Sequence, residues 1–152
     1  SKKIEHIYLD GNNMLFVDNC IRKDCLERKL ENAELKLAQI SFEYAKKLGI
    51  NYTTLVYDNT KQVYSKESSE GVFLRVSSAY PEFESSDDAF KVWAGGLNAE
   101  RLSKTVFVTS DRELTDRLKE KKVSLVLRSG EFMSEAKEVL GEELYGKCLG
   151  KN

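Results

Sequence analysis

Short apolar segments alternate with helical stretches along almost the whole of this 152-residue chain, and no other feature narrows its fold so far. Residues 4–9 (IEHIYL), 52–57 (YTTLVY), 72–76 (VFLRV), 105–108 (TVFV) and 123–127 (VSLVL) are rich in β-branched and aromatic residues and read as strands. Between the first two, apolar residues at steps of three and four (Leu26, Leu30, Ala33, Leu37, Ile40, Tyr44, Leu48) predict one helix over 25–48. Asp24 stands where its N-cap belongs and Gly49 where the chain leaves it. Further helices are expected over about 87–95, 112–122 and 131–140, followed by a short tail. Residues 59–71 are polar and read as a loop or loose hairpin. Strands that alternate with helices form a mostly parallel central sheet with helices on both faces. The uninterrupted apolar runs TVFV and VSLVL suit a sheet covered on both sides. The length fits one domain, 1–152.

In an open sheet of this kind, ligands bind beyond the carboxyl ends of the strands. Asp10 follows the first strand, Asp58 the second and Asp111 the one ending at Val108, while Asp87 and Asp88 open a helix after another strand. A single aspartate in such a place is often a helix cap or turn residue, and Asp111 is well placed to be one. Several together repel, and a divalent cation relieves that repulsion. Oxygen donors without His or Cys favour Mg²⁺ or Mn²⁺, ions that support phosphodiester chemistry.

Composition limits the alternatives. Lys and Arg number 24 against 25 Asp and Glu, a net charge of −1, which excludes a polybasic nucleic-acid binder but not an enzyme that acts on nucleic acid. The one histidine, His6, lies mid-strand and reads as a hydrogen-bonded structural imidazole. Cys20, Cys25 and Cys148 lack metal-site spacing and read as idle thiols, which suits a reducing compartment such as the cytoplasm or an organelle. No apolar run is long enough for a membrane span, and the opening Ser1-Lys2-Lys3 does not read as a leader.

Several motifs carry a resemblance. Asp10-Gly11-Asn12-Asn13 after a strand resembles the D-G-x-N motif of NYN domains, within the PIN-like nucleases. Tyr57-Asp58 resembles the aspartate that ends their next strand. Ser86-Asp87-Asp88-Ala89 and Val108-Thr109-Ser110-Asp111-Arg112 resemble the A-D-D/S and V-T-S-D-R motifs of the YacP-like subgroup, and Arg128-Ser129-Gly130-Glu131-Phe132 is loosely similar to its C-terminal segment. The match spans about residues 4–140. Asn12 stands where the family usually has an aromatic residue. The resemblance implies a three-layer PIN-like fold and a metal-dependent endoribonuclease using Mg²⁺ or Mn²⁺. It makes Asp10, Asp87 and Asp111 the first metal ligands, with Asp58 and Asp88 second. Asn13 would orient a ligand or the scissile phosphate, Gly11 would let the backbone pass close to the site, and Ser110 would bond a carboxylate or a bound water. RNA contacts are expected from Arg112, Lys61, Lys91 and Arg128, then Lys66 and Arg75, with Tyr57, Tyr64, Tyr80 and Trp93 as stacking candidates; Trp93 with Phe90 also reads as helix core. RNA is the expected partner, and a ribosome is one carrier that would deliver it. The alternative is a catalytically inactive scaffold that binds RNA or a ribonucleoprotein. A receiver-like phosphate domain ranks last, because its paired acids ahead of the first strand's end are missing.

Overall fold

The computed structural model describes residues 3–123 and 125–151. A six-stranded sheet forms its centre: β1 (His6–Asp10), β2 (Tyr52–Tyr57), β3 (Tyr64–Glu67), β4 (Phe73–Ser78), β5 (Thr105–Val108) and β6 (Leu125–Leu127). Their spatial order is β3-β4-β2-β1-β5-β6; β3 runs antiparallel to β4 and every other neighbour is parallel. The helices are α1 (Gly11–Met14), α2 (Asn19–Leu26), α3 (Leu30–Leu48), α4 (Ser86–Gly95), α5 (Ala99–Leu102), α6 (Arg112–Glu120) and α7 (Ser129–Cys148). The architecture is the three-layer one expected. Residue 124 of the expected last strand lies outside the described residues.

Alternation along the strands divides the core in two. Ile7, Leu9, Leu55, Leu74 and Val108 face one side and pack with Leu37, Ile40 and Tyr44 of α3 and Phe132 and Ala136 of α7. Tyr8, Val56 and Phe107 face the other and pack with Phe90 and Ala94 of α4 and Leu114 and Leu118 of α6. The chain first builds outward from β1 through β2 to β4, then crosses back to add β5 and β6 on the other side. The order therefore reverses beside β1, and the carboxyl ends of β1 and β5 open onto a crevice there.

Three expectations are corrected. The helix expected over 25–48 is two helices, because Arg28 turns into the left-handed region (φ 61) and the chain restarts at Leu30. Asp24 is consequently no cap: it is buried inside α2 and ion-paired with Lys36 at 2.5 Å, while Asp18 caps α2 through the N–H groups of Cys20 and Ile21. The expected apolar face is buried at Ala33, Leu37, Ile40 and Tyr44 but exposed at Leu26, Leu30 and Leu48. The supposed tail is helical too, α7 continuing past 140 through a kink at Gly141 (φ 76) that joins two helical segments. Within 59–71 the hairpin reading is the right one, since β3 pairs with β4.

Candidate metal centre at the carboxyl edge of the sheet

A cavity of about 280 Å³ opens at this crevice, lined by Asp10, Asn13, Asp58, Ser86, Asp87 and Asp111 among others. Each arrives on a different local device. Asp10 is the last residue of β1, 2% exposed, and Gly11 turns the chain directly into α1. A Cβ on Gly11 would sit 2.5 Å from the ring of Tyr57, so only glycine lets β1 turn here. Asn13 then lies one helical turn from Asp10 and donates its amide to Asp10 Oδ2 at 2.9 Å. Asp58 follows β2, its N–H held by Asn12 Oδ1 at 2.7 Å. Asn12, the departure from the family pattern, thus fixes the neighbouring strand's aspartate.

Ser86 binds these two acids together. Its N–H donates to Asp58 Oδ1 at 2.8 Å, and its hydroxyl lies 3.0 Å from both Asp58 Oδ1 and Asp10 Oδ1. A hydroxyl has one proton to give, so the two carboxylates share it. The motif SDDA included Ser86 without giving it a role; the signal was a serine at a helix start, ordinarily read as a cap. That role belongs to Ser85, whose hydroxyl accepts from Asp88 N–H. Asp111 caps α6 through Leu114 N–H at 2.7 Å, as its position suggested, and also lines the cavity. Ser110 lines the cavity too, its hydroxyl accepting the Ser129 N–H at 3.2 Å.

The electrostatics converge on Asp87. Burial, then the charges of Asp10 and Asp111, raise its pKa to about 7, and a protonated Asp87 is within hydrogen-bonding reach of both. Its Oδ1 is buried without a hydrogen-bond partner. Asp10 is also raised, chiefly by burial and further by the charge of Asp58, against the lowering effect of its bonds from Ser86 and Asn13. Oxygen donors, mutual repulsion and an unpartnered carboxylate oxygen together suit a hard divalent cation. Even so, among the described residues no three His, Cys, Asp or Glu side chains stand ready as a metal-holding group. Oxygens of Asp10, Asp58 and Asp111 are engaged by Ser86, Asn13 and Leu114 N–H.

The remaining candidates are spread more widely. Asp88, half-buried on α4, does not line the cavity; nor do Arg112 at the start of α6, Lys91 on α4, Arg128 ahead of α7, or Lys61, which lines a separate cavity with Glu31 and Glu34. Tyr57 is 1% exposed and cannot stack on a base, which corrects that expectation. Trp93 is partly buried, packed against Phe83 and Phe90 at the edge of the core. His6 is a satisfied imidazole, its Nε2 2.9 Å from Thr54 Oγ1.

No protein-family model and no curated protein matches the chain. Solved structures do. Rae1 (YacP) from Bacillus subtilis matches with a TM-score of 0.66 and 21% identity, covering 91% of this chain and 75% of that one. A point mutant of the same protein matches at 0.61 and 17%, covering 88% and 75%. The chain thus shares the fold of YacP, the protein whose name the subgroup in the motif resemblance carries.

Proposed function

We propose that the chain is a metal-dependent endoribonuclease whose Asp10, Asp87 and Asp111 hold Mg²⁺ or Mn²⁺, with Asp58 adjoining. The observation that carries this reading is the meeting of Asp10, Asp87 and Asp111 at the point of strand-order reversal, where Asp87 is driven up to about 7 by burial and by the other two charges. Stability alone gives no reason to collect acids in this way. A divalent ion, when bound, would neutralise phosphate charge and help form the attacking hydroxide. The protein's own part is positional. Ser86 locks Asp10 to Asp58, and Asn13 fixes the rotamer of Asp10. Asp111 is held by the first turn of α6. To serve as a ligand Asp87 would have to be ionised, so cation binding there would be favoured as pH rises through about 7. RNA as substrate rests on the motif resemblance together with the shared fold.

The test is cleavage of labelled single-stranded and structured RNA with Mn²⁺, Mg²⁺ or EDTA, alongside Asp10→Asn and Asp111→Asn. Cleavage is expected with metal, to vanish with EDTA, and to fall at least about 100-fold in either variant. Cleavage indifferent to EDTA and to both substitutions refutes the reading. One observation favours an inactive scaffold instead: no three acidic side chains stand ready as a metal-holding group among the described residues. RNA binding without cleavage under any metal would select that alternative.

A further inference from the structure

At the opposite end of the sheet, three rings stand side by side. His6, Tyr52 and Phe73 begin β1, β2 and β4 and are register partners in turn. Residues paired in this way project to one face. The ring centroids are 5.9 Å apart for His6 and Tyr52, and 5.5 Å for the stacked pair Tyr52 and Phe73. The face is the one that α4 and α6 cover over β1 and β5. Over the amino ends of β2 and β4 that cover is missing: Tyr52 is 51% and Phe73 39% exposed, and Arg75, next on that face of β4, is exposed. Single exposed aromatics are ordinary, but two stacked on each other on an open sheet form a platform.

The flanks of the platform carry both signs, with Glu67 beside Phe73 in register on β3 and Glu5 and Glu100 in the cavity that Tyr52 borders. Tyr52 borders a cavity of about 530 Å³ whose rim includes Arg101 and Lys104. Lys104 is ion-paired with Glu5 and Glu100, whereas Arg75 and Arg101 make no ion pair among the described residues. The parts of the two ring faces that the stack leaves open, together with two guanidinium groups outside any ion pair, complement unpaired bases joined by phosphates. A duplex keeps its base faces hidden and cannot use such a platform.

We propose that this open face binds single-stranded nucleic acid, with successive bases stacking on Tyr52 and Phe73 and flanking phosphates meeting Arg75 and Arg101. The inference rests on the nuclease reading only in taking RNA as the strand bound. From His6 to Asp10 the sheet spans about 13 Å, at roughly 3.3 Å per residue; α4 covers β1 between them, so a strand on the platform would reach the acidic cavity by passing beside α4 over β2 and β4. The face would then present the substrate and hold it while its neighbour is cut.

Binding of fluorescent oligouridine, oligodeoxyuridine and an RNA duplex to the full chain in EDTA, followed by anisotropy, tests this apart from catalysis. Both single strands are expected to bind and the duplex to bind at least tenfold more weakly. Tyr52→Ala with Phe73→Ala should weaken single-strand binding about tenfold or more. Tyr52→Phe and Phe73→Tyr should retain it. Arg75→Glu with Arg101→Glu checks the same face with substitutions that leave the core untouched. Wild-type affinity in both the alanine and the glutamate pair overturns the proposal, as does equal binding of the duplex. So does self-association that disappears in the alanine pair while RNA affinity stays. Intact binding with no metal-dependent cleavage would refute the nuclease reading and leave this one standing.

Discussion

Asp87 titrates against its own neighbours, and the sign of the effect can be followed with pH. An aspartate ordinarily titrates near 3.8; here burial and the charges of Asp10 and Asp111 raise it to about 7. Below about pH 4 both the folded and unfolded chains hold the proton. Between there and 7 the unfolded chain has lost it while the folded chain keeps it, so stability declines as pH rises through this window, and the full loss persists above it. Removing the charge should therefore stabilise the protein at pH 8 and have little effect at pH 4. Because Asp87 is only half-buried, solvent screening reduces the gain, and Asp87→Asn is expected to raise the melting temperature at pH 8 by about 2–4 °C. Equal melting at both pH values would show that the repulsion is not felt. Mg²⁺ or Mn²⁺ at pH 8 should likewise raise the melting temperature of the wild type, and much less that of Asp10→Asn; no rise in the wild type would remove the metal from the account. His6 moves in the other direction. Burial first, and then the charge of Arg101, lower it from 6.5 to about 4, so its contribution is present above 6.5 and lost as pH falls from there toward 4. As the chain has one histidine, its ring proton resonances can be followed without assignment, and they are expected to titrate near 4. A midpoint near 6.5 would place the ring in solvent.

Individual elements show what the sequence could and could not disclose. The strands were legible because β-branched runs bounded by polar residues have few other uses, and Gly49 marked the end of α3 in the left-handed conformation expected of it. The break between α2 and α3 was hidden because the apolar steps of three and four run straight across it, while the left-handed turn falls on Arg28, which gives no warning in sequence. An L-residue with a side chain is strained there, so Arg28→Gly should stabilise the fold by about 1 kcal/mol or less, after allowing for the greater freedom of glycine in the unfolded chain. Denaturant midpoints measure this, and a loss of stability would mean that the Arg28 side chain contributes more than its backbone costs. At the site, strand-end aspartates were legible because the fold places them; Ser86 was not, because a bond from a helix start to acids on two strands is purely tertiary. Tyr52 and Phe73 give no sign in the sequence for a similar reason. Their alternation reads as ordinary strand, and only the absence of a helix over that corner of the sheet makes them a surface.

For the whole molecule, a net charge of −1 bears on how the proposed nucleic-acid strand would be held. Nonspecific attraction is weak at this balance, so a strand must be held by a few placed contacts and by stacking. On the two proposals, the ends of the sheet would divide the work by chemistry: acids at the carboxyl end, rings and guanidinium groups outside any ion pair at the amino end. Salt dependence distinguishes this arrangement from a basic track. Each phosphate neutralised on a single strand steepens the log–log dependence of affinity on salt by about 0.7. With Arg75 and Arg101 as the two contacts, raising salt from about 50 to 200 mM should weaken oligouridine binding by roughly sevenfold. Engagement of Lys61, Lys91, Arg112 and Arg128 as well would carry the loss past a hundredfold, by the same relation. The shallow slope is the expected result, because none of those four side chains lines the acidic cavity and Lys61 opens onto a different one beside Glu31 and Glu34. A steep slope that flattens when those four are neutralised would move the strand's path off the open face and onto the rim around α4, α6 and α7.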